Sequence, residues 1–181
     1  MTLKNFKILT SSILFLFSFI FTAQGSEDKK TKADDMFQKE RQWRIHNTFN
    51  TLRANNLKIL DKFYHPKIKF IDPIGEINTI KHMKEYYKKM YQNVKDISFD
   101  INSITTEKDT IVITWTMFLE AKNLNDGNEV KLDGVSHLVF DKKTNLVIYH
   151  RDYFDMGEFI YEYVPLLGRV VKMIKSKLSH E

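Results

Sequence analysis

From Ile97 to Phe154 apolar and polar residues alternate, and only short polar clusters interrupt them. Alternate residues of a strand face opposite sides, so this period of two predicts strands. The expected strands are Ile97 to Ile104, Thr110 to Ala121, Val130 to Phe140 and Leu146 to Phe154. Glu107-Lys108-Asp109, Asn125-Asp126-Gly127-Asn128 and Lys142-Lys143-Thr144-Asn145 separate them. Connections this short hold no crossover helix, so the four strands are expected to form an antiparallel meander.

The chain before the meander has a different period. Met36 to Ala54 carries Phe37, Trp43, Phe49 and Leu52 at roughly helical spacing, and Asn55-Asn56 end it. Leu57, Leu60, Phe63 and Tyr64 mark a short second helix, which His65-Pro66 stops. Lys67 to Ile71 alternates and reads as a strand, and Asp72-Pro73-Ile74-Gly75 is a turn. Ile80 to Val94 is a third helix, with Ile80, Met83, Tyr87 and Met90 on one side. A last amphipathic segment, Met156 to Leu178, is interrupted by Pro165 and Gly168. Helices segregated from a meander define an α+β layout.

The first residues bear on the compartment. Lys4 and Lys7 precede an uncharged apolar run, Ile8 to Phe21, and small residues stand at Ala23 and Gly25. That pattern is read as a secretion signal, residues 1–25, cut near Gly25. The run is shorter than the roughly 20 residues that span a bilayer. Residues 26–35 are charged and read as a solvated linker, ahead of a domain over 36–155 and a tail over 156–181. The expected location is the periplasm or the exterior. The chain has no cysteine, which excludes disulfides and a lipid-modified cysteine. Its formal charge is +5; without Lys4 and Lys7 the 28 basic residues become 26 against 23 acids, which leaves +3. A charge of that size makes no case for nucleic acid.

Three stretches carry a resemblance. They are Phe63-Tyr64-His65-Pro66-Lys67-Ile68-Lys69-Phe70-Ile71-Asp72-Pro73-Ile74-Gly75, Gly134-Val135-Ser136-His137-Leu138-Val139-Phe140, and His150-Arg151-Asp152-Tyr153-Phe154-Asp155. With the element order, they resemble the nuclear-transport-factor-2-like superfamily, in particular its SnoaL-like bacterial proteins. The resemblance implies a cone-shaped α+β fold: three N-terminal helices against a strongly curved, mainly antiparallel sheet, with a C-terminal amphipathic helix. It does not imply one activity, because this fold hosts isomerases, hydrolases, cyclases and binding proteins.

Two mechanisms of the superfamily lack their partners here. Ketosteroid isomerases place a base in the turn where Asp72 stands. Their oxyanion donors, a tyrosine and a protonated aspartate, fall on Thr48 and Ser136. Limonene-epoxide hydrolases resemble the run Arg151 to Asp155. Their middle-strand Arg-x-Asp falls on Thr116-Met117-Phe118.

The resemblance implies that Asp152 faces the pocket, and strand alternation then places His150 and Phe154 there too. The expected pocket also holds Asp72, Thr114, Thr116, Phe118, Ser136 and Leu138. Asp72 is either a pocket base or the cap of its own turn. His150 and Asp152 are either an acid–base pair or a buried structural pair, or Asp152 bridges to a helix cation such as Arg44. The six histidines are scattered, and no cofactor or metal is expected. Trp115, Met117, Leu119, Val135, Val139 and Tyr153 are expected on the outer sheet face, where proteins resembling this one pair as homodimers. The tail sets Ile160, Val164, Leu167, Val171, Ile174 and Leu178 against Arg169, Lys172, Lys175 and Lys177. It is expected to pack on the domain or a partner copy, or to lie on a membrane surface. The favoured function is binding of a small, largely apolar molecule. Alternatives are an isomerase, hydrolase or cyclase using Asp72, His150 and Asp152, or an envelope interaction protein acting through the dimer face and tail.

Overall fold

The computed structural model describes residues 34–179. The expected secretion signal and most of the expected linker lie outside them. Contacts divide the chain into two units, 1–42 and 43–181. Among described residues the first unit is helical over 34–42, and the same helix, α1, runs on to residue 51. Asp34 and Asp35, expected in the linker, are already helical, as suits carboxylates in a first turn.

In the second unit a 3-10 turn, Leu57–Ile59, leads into α2, Leu60–Phe63. Strand β1 is Tyr64–Ile71, and β2 is the two-residue Glu76–Ile77. Helix α3, Ile80–Met90, starts at Thr79, whose hydroxyl accepts from the His82 amide at 3.2 Å. The meander follows as β3 Val94–Glu107, β4 Thr110–Ala121, β5 Val130–Phe140 and β6 Val147–Phe154. Helices α4, Met156–Phe159, and α5, Leu167–Leu178, close the chain. The sheet order is β2-β1-β6-β5-β4-β3. Every pairing is antiparallel except β1 with β6. This is the expected α+β fold. Some boundaries differ. Tyr64 to Pro66 extend β1 instead of ending a helix, because Tyr64 pairs with Val147. Helix α3 stops at Met90 short of the expected Val94, and Val94 opens β3 by pairing with Ala121.

The register fixes which side of the sheet each residue takes. Ile113 lies across from Ser136, Trp115 from Gly134 and Met117 from Leu132. Residues directly opposite share a face. The odd-numbered residues of β4 therefore join Ser136, Leu138 and Leu132 on the inner side. Ile111, Ile113, Trp115, Met117 and Leu119 are all buried there. This corrects the expected faces of β4. Thr114, Thr116 and Phe118 lie on the outer side, and Trp115, Met117 and Leu119 on the inner. Thr114 bonds Ser103 Oγ at 2.7 Å, and Thr116 donates to Asp133 at 2.6 Å. Val135, Val139 and Tyr153 stay outside as expected, across from Thr114, Thr110 and Val135 respectively.

Gly134 shows why the register is tight. A Cβ there would stand 2.2 Å from the Trp115 ring. Only a residue without a side chain lets the indole lie flat over β5. The ring packs edge-on to Phe99 at 5.5 Å and donates its N–H to Ser136 Oγ at 2.9 Å.

Candidate functional site

The inner side of the sheet and α3 line an open cavity of about 380 Å³. Its wall is mostly aromatic and aliphatic, with Trp115, Met117, Phe99 and Leu132 from the sheet and Tyr86, Tyr87 and Tyr91 from α3 and its end. Thr48 and Phe49 of α1, and Phe159 and Ile160 after β6, complete it. Asp72, His150 and Asp152 all line this cavity, as expected. Ser136 is fully buried behind it, and Leu138 sits in the core. Thr114, Thr116 and Phe118 do not reach it, for the reason the register gives.

His150 is 1% exposed and sits between two partners. Its Nε2 lies 2.7 Å from Asp152 Oδ1, and its Nδ1 lies 2.7 Å from Tyr64 Oη. A carboxylate only accepts, so His150 Nε2–H donates to Asp152. In the neutral ring Nδ1 is then the acceptor, and the Tyr64 hydroxyl donates to it. On the other side Trp115 donates to Ser136, and the Ser136 hydroxyl donates to the same Asp152 Oδ1. Two chains of donors thus converge on one oxygen. Among the described residues none donates to Oδ2, and the carboxylate group lines the cavity. Arg44 points elsewhere, with bonds to the carbonyls of Lys62 and Asn145.

Asp72 caps its own turn and also lines the cavity. Oδ1 accepts from the amides of Ile74 and Gly75, both at 2.8 Å, which caps the turn. Oδ2 accepts from the Tyr86 hydroxyl on the cavity wall. Both Asp72 carboxylate oxygens are thus engaged, whereas Asp152 Oδ2 has no donor among the described residues.

The residues that sequence reasoning missed are the tyrosines. Burial raises the hydroxyl pKa values of Tyr64 and Tyr87 well above the ordinary range, and the charge of Asp152 adds to this. Burial and the bond to Asp72 raise that of Tyr86 as well. Tyr91 is pushed up to about 12, again by burial. All four remain protonated donors under ordinary conditions. The one visible signal was their spacing: Tyr86, Tyr87 and Tyr91 fall within two turns of one predicted helix. Among the described residues no cluster of three or more His, Cys, Asp or Glu side chains could hold a metal ion.

The sheet and the helices packed on it thus line an apolar cavity with a carboxylate on its wall. Residues 45–148 match the family profile of the SnoaL-like domain, and the chain belongs to that family. Solved structures agree at the level of fold. A SnoaL-like polyketide cyclase, so described, from Shewanella denitrificans is 17% identical with a TM-score of 0.58, over 66% of this chain and 93% of that one. Another described as a polyketide cyclase, from Acidithiobacillus ferrooxidans, is 23% identical with a TM-score of 0.54, over 67% and 90%. A protein of ketosteroid-isomerase-like fold from Catenulispora acidiphila, in complex with trimethylamine, is 10% identical with a TM-score of 0.58, over 68% and 91%. No curated protein matches the chain.

Proposed function

We propose that this protein is exported and holds a small, largely apolar molecule in the cavity, anchored by a hydrogen bond to Asp152 Oδ2. The observation that carries this reading is the pairing of an apolar wall with a carboxylate whose Oδ1 is already engaged. A volume of about 380 Å³ falls within the range of small-molecule sites. The ligand is neutral or cationic and bears at least one donor, because an anion would meet the Asp152 charge in an apolar surround.

Asp152→Asn tests the anchor. The amide oxygen still accepts from His150 and Ser136, so the fold is expected to lose no more than about 1–2 kcal/mol. Affinity for a donor-bearing ligand is expected to fall about tenfold or more, since a charge-assisted bond is lost. Equal affinity in thermal-shift or fluorescence titrations would remove Asp152 from the site.

A second reading, favoured by the donor chain, is an enzyme. Tyr64 and His150 would hold Asp152 as the proton acceptor while Tyr87, on the cavity wall, donates to the substrate. A pH profile of turnover on a carbonyl substrate, lost in Asp152→Asn but kept in Asp72→Asn, would select it. Pairing of two copies through Val135, Val139 and Tyr153 belongs to the same proposal, and the mass in solution tests it.

A further inference from the structure

An amphipathic helix ordinarily turns its apolar side to the protein. Helix α5 leaves most of its apolar residues in solvent, and only Val171 among the large ones is half-buried. Gly168, its buried residue, lies against the Glu162 carbonyl, where a Cβ would come within 2.2 Å. Two turns later on the same side, Lys175 reaches Glu162 Oε1 at 2.8 Å and Asp155 Oδ2 at 3.6 Å. The glycine contact and these ion pairs fix the helix by its polar side. The pairs raise the Lys175 pKa, led by the bond to Glu162.

The opposite side is left to solvent. Leu167, Val170, Ile174 and Leu178 follow one another at steps of three and four, with Met173 beside them, and all are exposed. Leu178 is 75% exposed and Ile174 50%. Arg169, Lys172 and Lys177 are exposed on the same helix. No acidic residue occurs from Leu167 to Ser179.

We infer that α5 is a docking element for an anionic lipid surface. The apolar side would enter the acyl boundary while Arg169, Lys172 and Lys177 meet phosphate headgroups. Charge complementarity selects this occupant. A second copy of α5 would bring an equally cationic helix against the first, and like charges oppose that pairing. Among the described residues no helix is long and apolar enough to cross a membrane, so the contact is peripheral. This inference is independent of what the cavity holds.

The test is co-sedimentation with vesicles of phosphatidylcholine, with and without phosphatidylglycerol. The protein is used as the producing cell matures it, its N-terminus read by intact mass. Binding is expected only to the phosphatidylglycerol vesicles and should weaken with salt. Charge removal in R169Q/K172Q/K177Q is expected to weaken it about a hundredfold, and V170S/I174S should also weaken it. Both variants change exposed positions, and circular dichroism checks that they fold. Equal binding to both vesicle types, no binding to either, or unchanged binding by the variants would overturn the inference. So would a wild-type dimer that V170S/I174S splits, since α5 would then be covered by a second copy.

Discussion

Raising the pH from about 10 to about 12 is expected to unfold this protein in one steep step. Tyr64, Tyr86, Tyr87 and Tyr91 have raised hydroxyl pKa values, mainly because the fold buries them. In the unfolded chain they return to the ordinary value of 10.0. Above that value the unfolded state releases protons that the folded state keeps. Stability is therefore whole below about pH 10 and falls as the pH rises through it. Each such group contributes about 1.4 kcal/mol per pH unit, so the four approach about 5 kcal/mol per unit. A domain stable by roughly 5–15 kcal/mol cannot absorb that for long. Phenolate absorbance from these four should rise together with the loss of circular dichroism. If all eight tyrosines titrate smoothly near pH 10 with the secondary structure intact, the cavity wall is hydrated and this description of it is wrong.

Trp115→Ala should produce the largest loss from a single substitution, about 3–5 kcal/mol. The indole is 4% exposed and contacts Phe99 and Phe154. Gly134, beneath it, offers no side chain to fill the gap. The void would open into the existing cavity, so the site cannot collapse around it. Trp115→Phe separates two contributions. It keeps most of the packing but removes the donor to Ser136, and it should cost about 1–2 kcal/mol. Denaturant melts of the two variants measure the difference. Equal losses would mean that the Ser136 bond, not the packing, carries the contribution of Trp115.

Much of this fold is legible in the sequence, because a period of two over Ile97 to Phe154 admits few alternatives. The meander strands lie close to their expected ends for that reason. The inner face of β6 is equally legible, since His150, Asp152 and Phe154 must share a side. The faces of β4 are where the reading fails. Thr114, Thr116 and Phe118 are expected inside, with Trp115 and Met117 opposite, and the structure reverses this. Yet Ile111, Ile113, Trp115, Met117 and Leu119 form an unbroken apolar row, which is the signature of the buried side. Gly134 in mid-strand was a second clue, since such a glycine marks the close approach of a bulky group. The tyrosine network is less legible. It joins β1, α3 and β6 across distances that no local pattern encodes. Nor does amphipathicity tell which side of α5 faces the protein, because that is set by Gly168 and by Lys175 meeting residues before the helix.

The central claim is that the cavity takes a small apolar molecule and presents Asp152 to it. Titration with N-phenyl-1-naphthylamine, a neutral apolar fluorophore with one N–H donor, tests it most directly. Wild-type protein is compared with Met117→Trp, which fills the cavity, and with Asp152→Asn. The wild type is expected to enhance the fluorescence with saturation at one site. Met117→Trp should abolish that enhancement, and Asp152→Asn should weaken it about tenfold. An enhancement equal in all three folded proteins, or absent from the wild type, would contradict the claim.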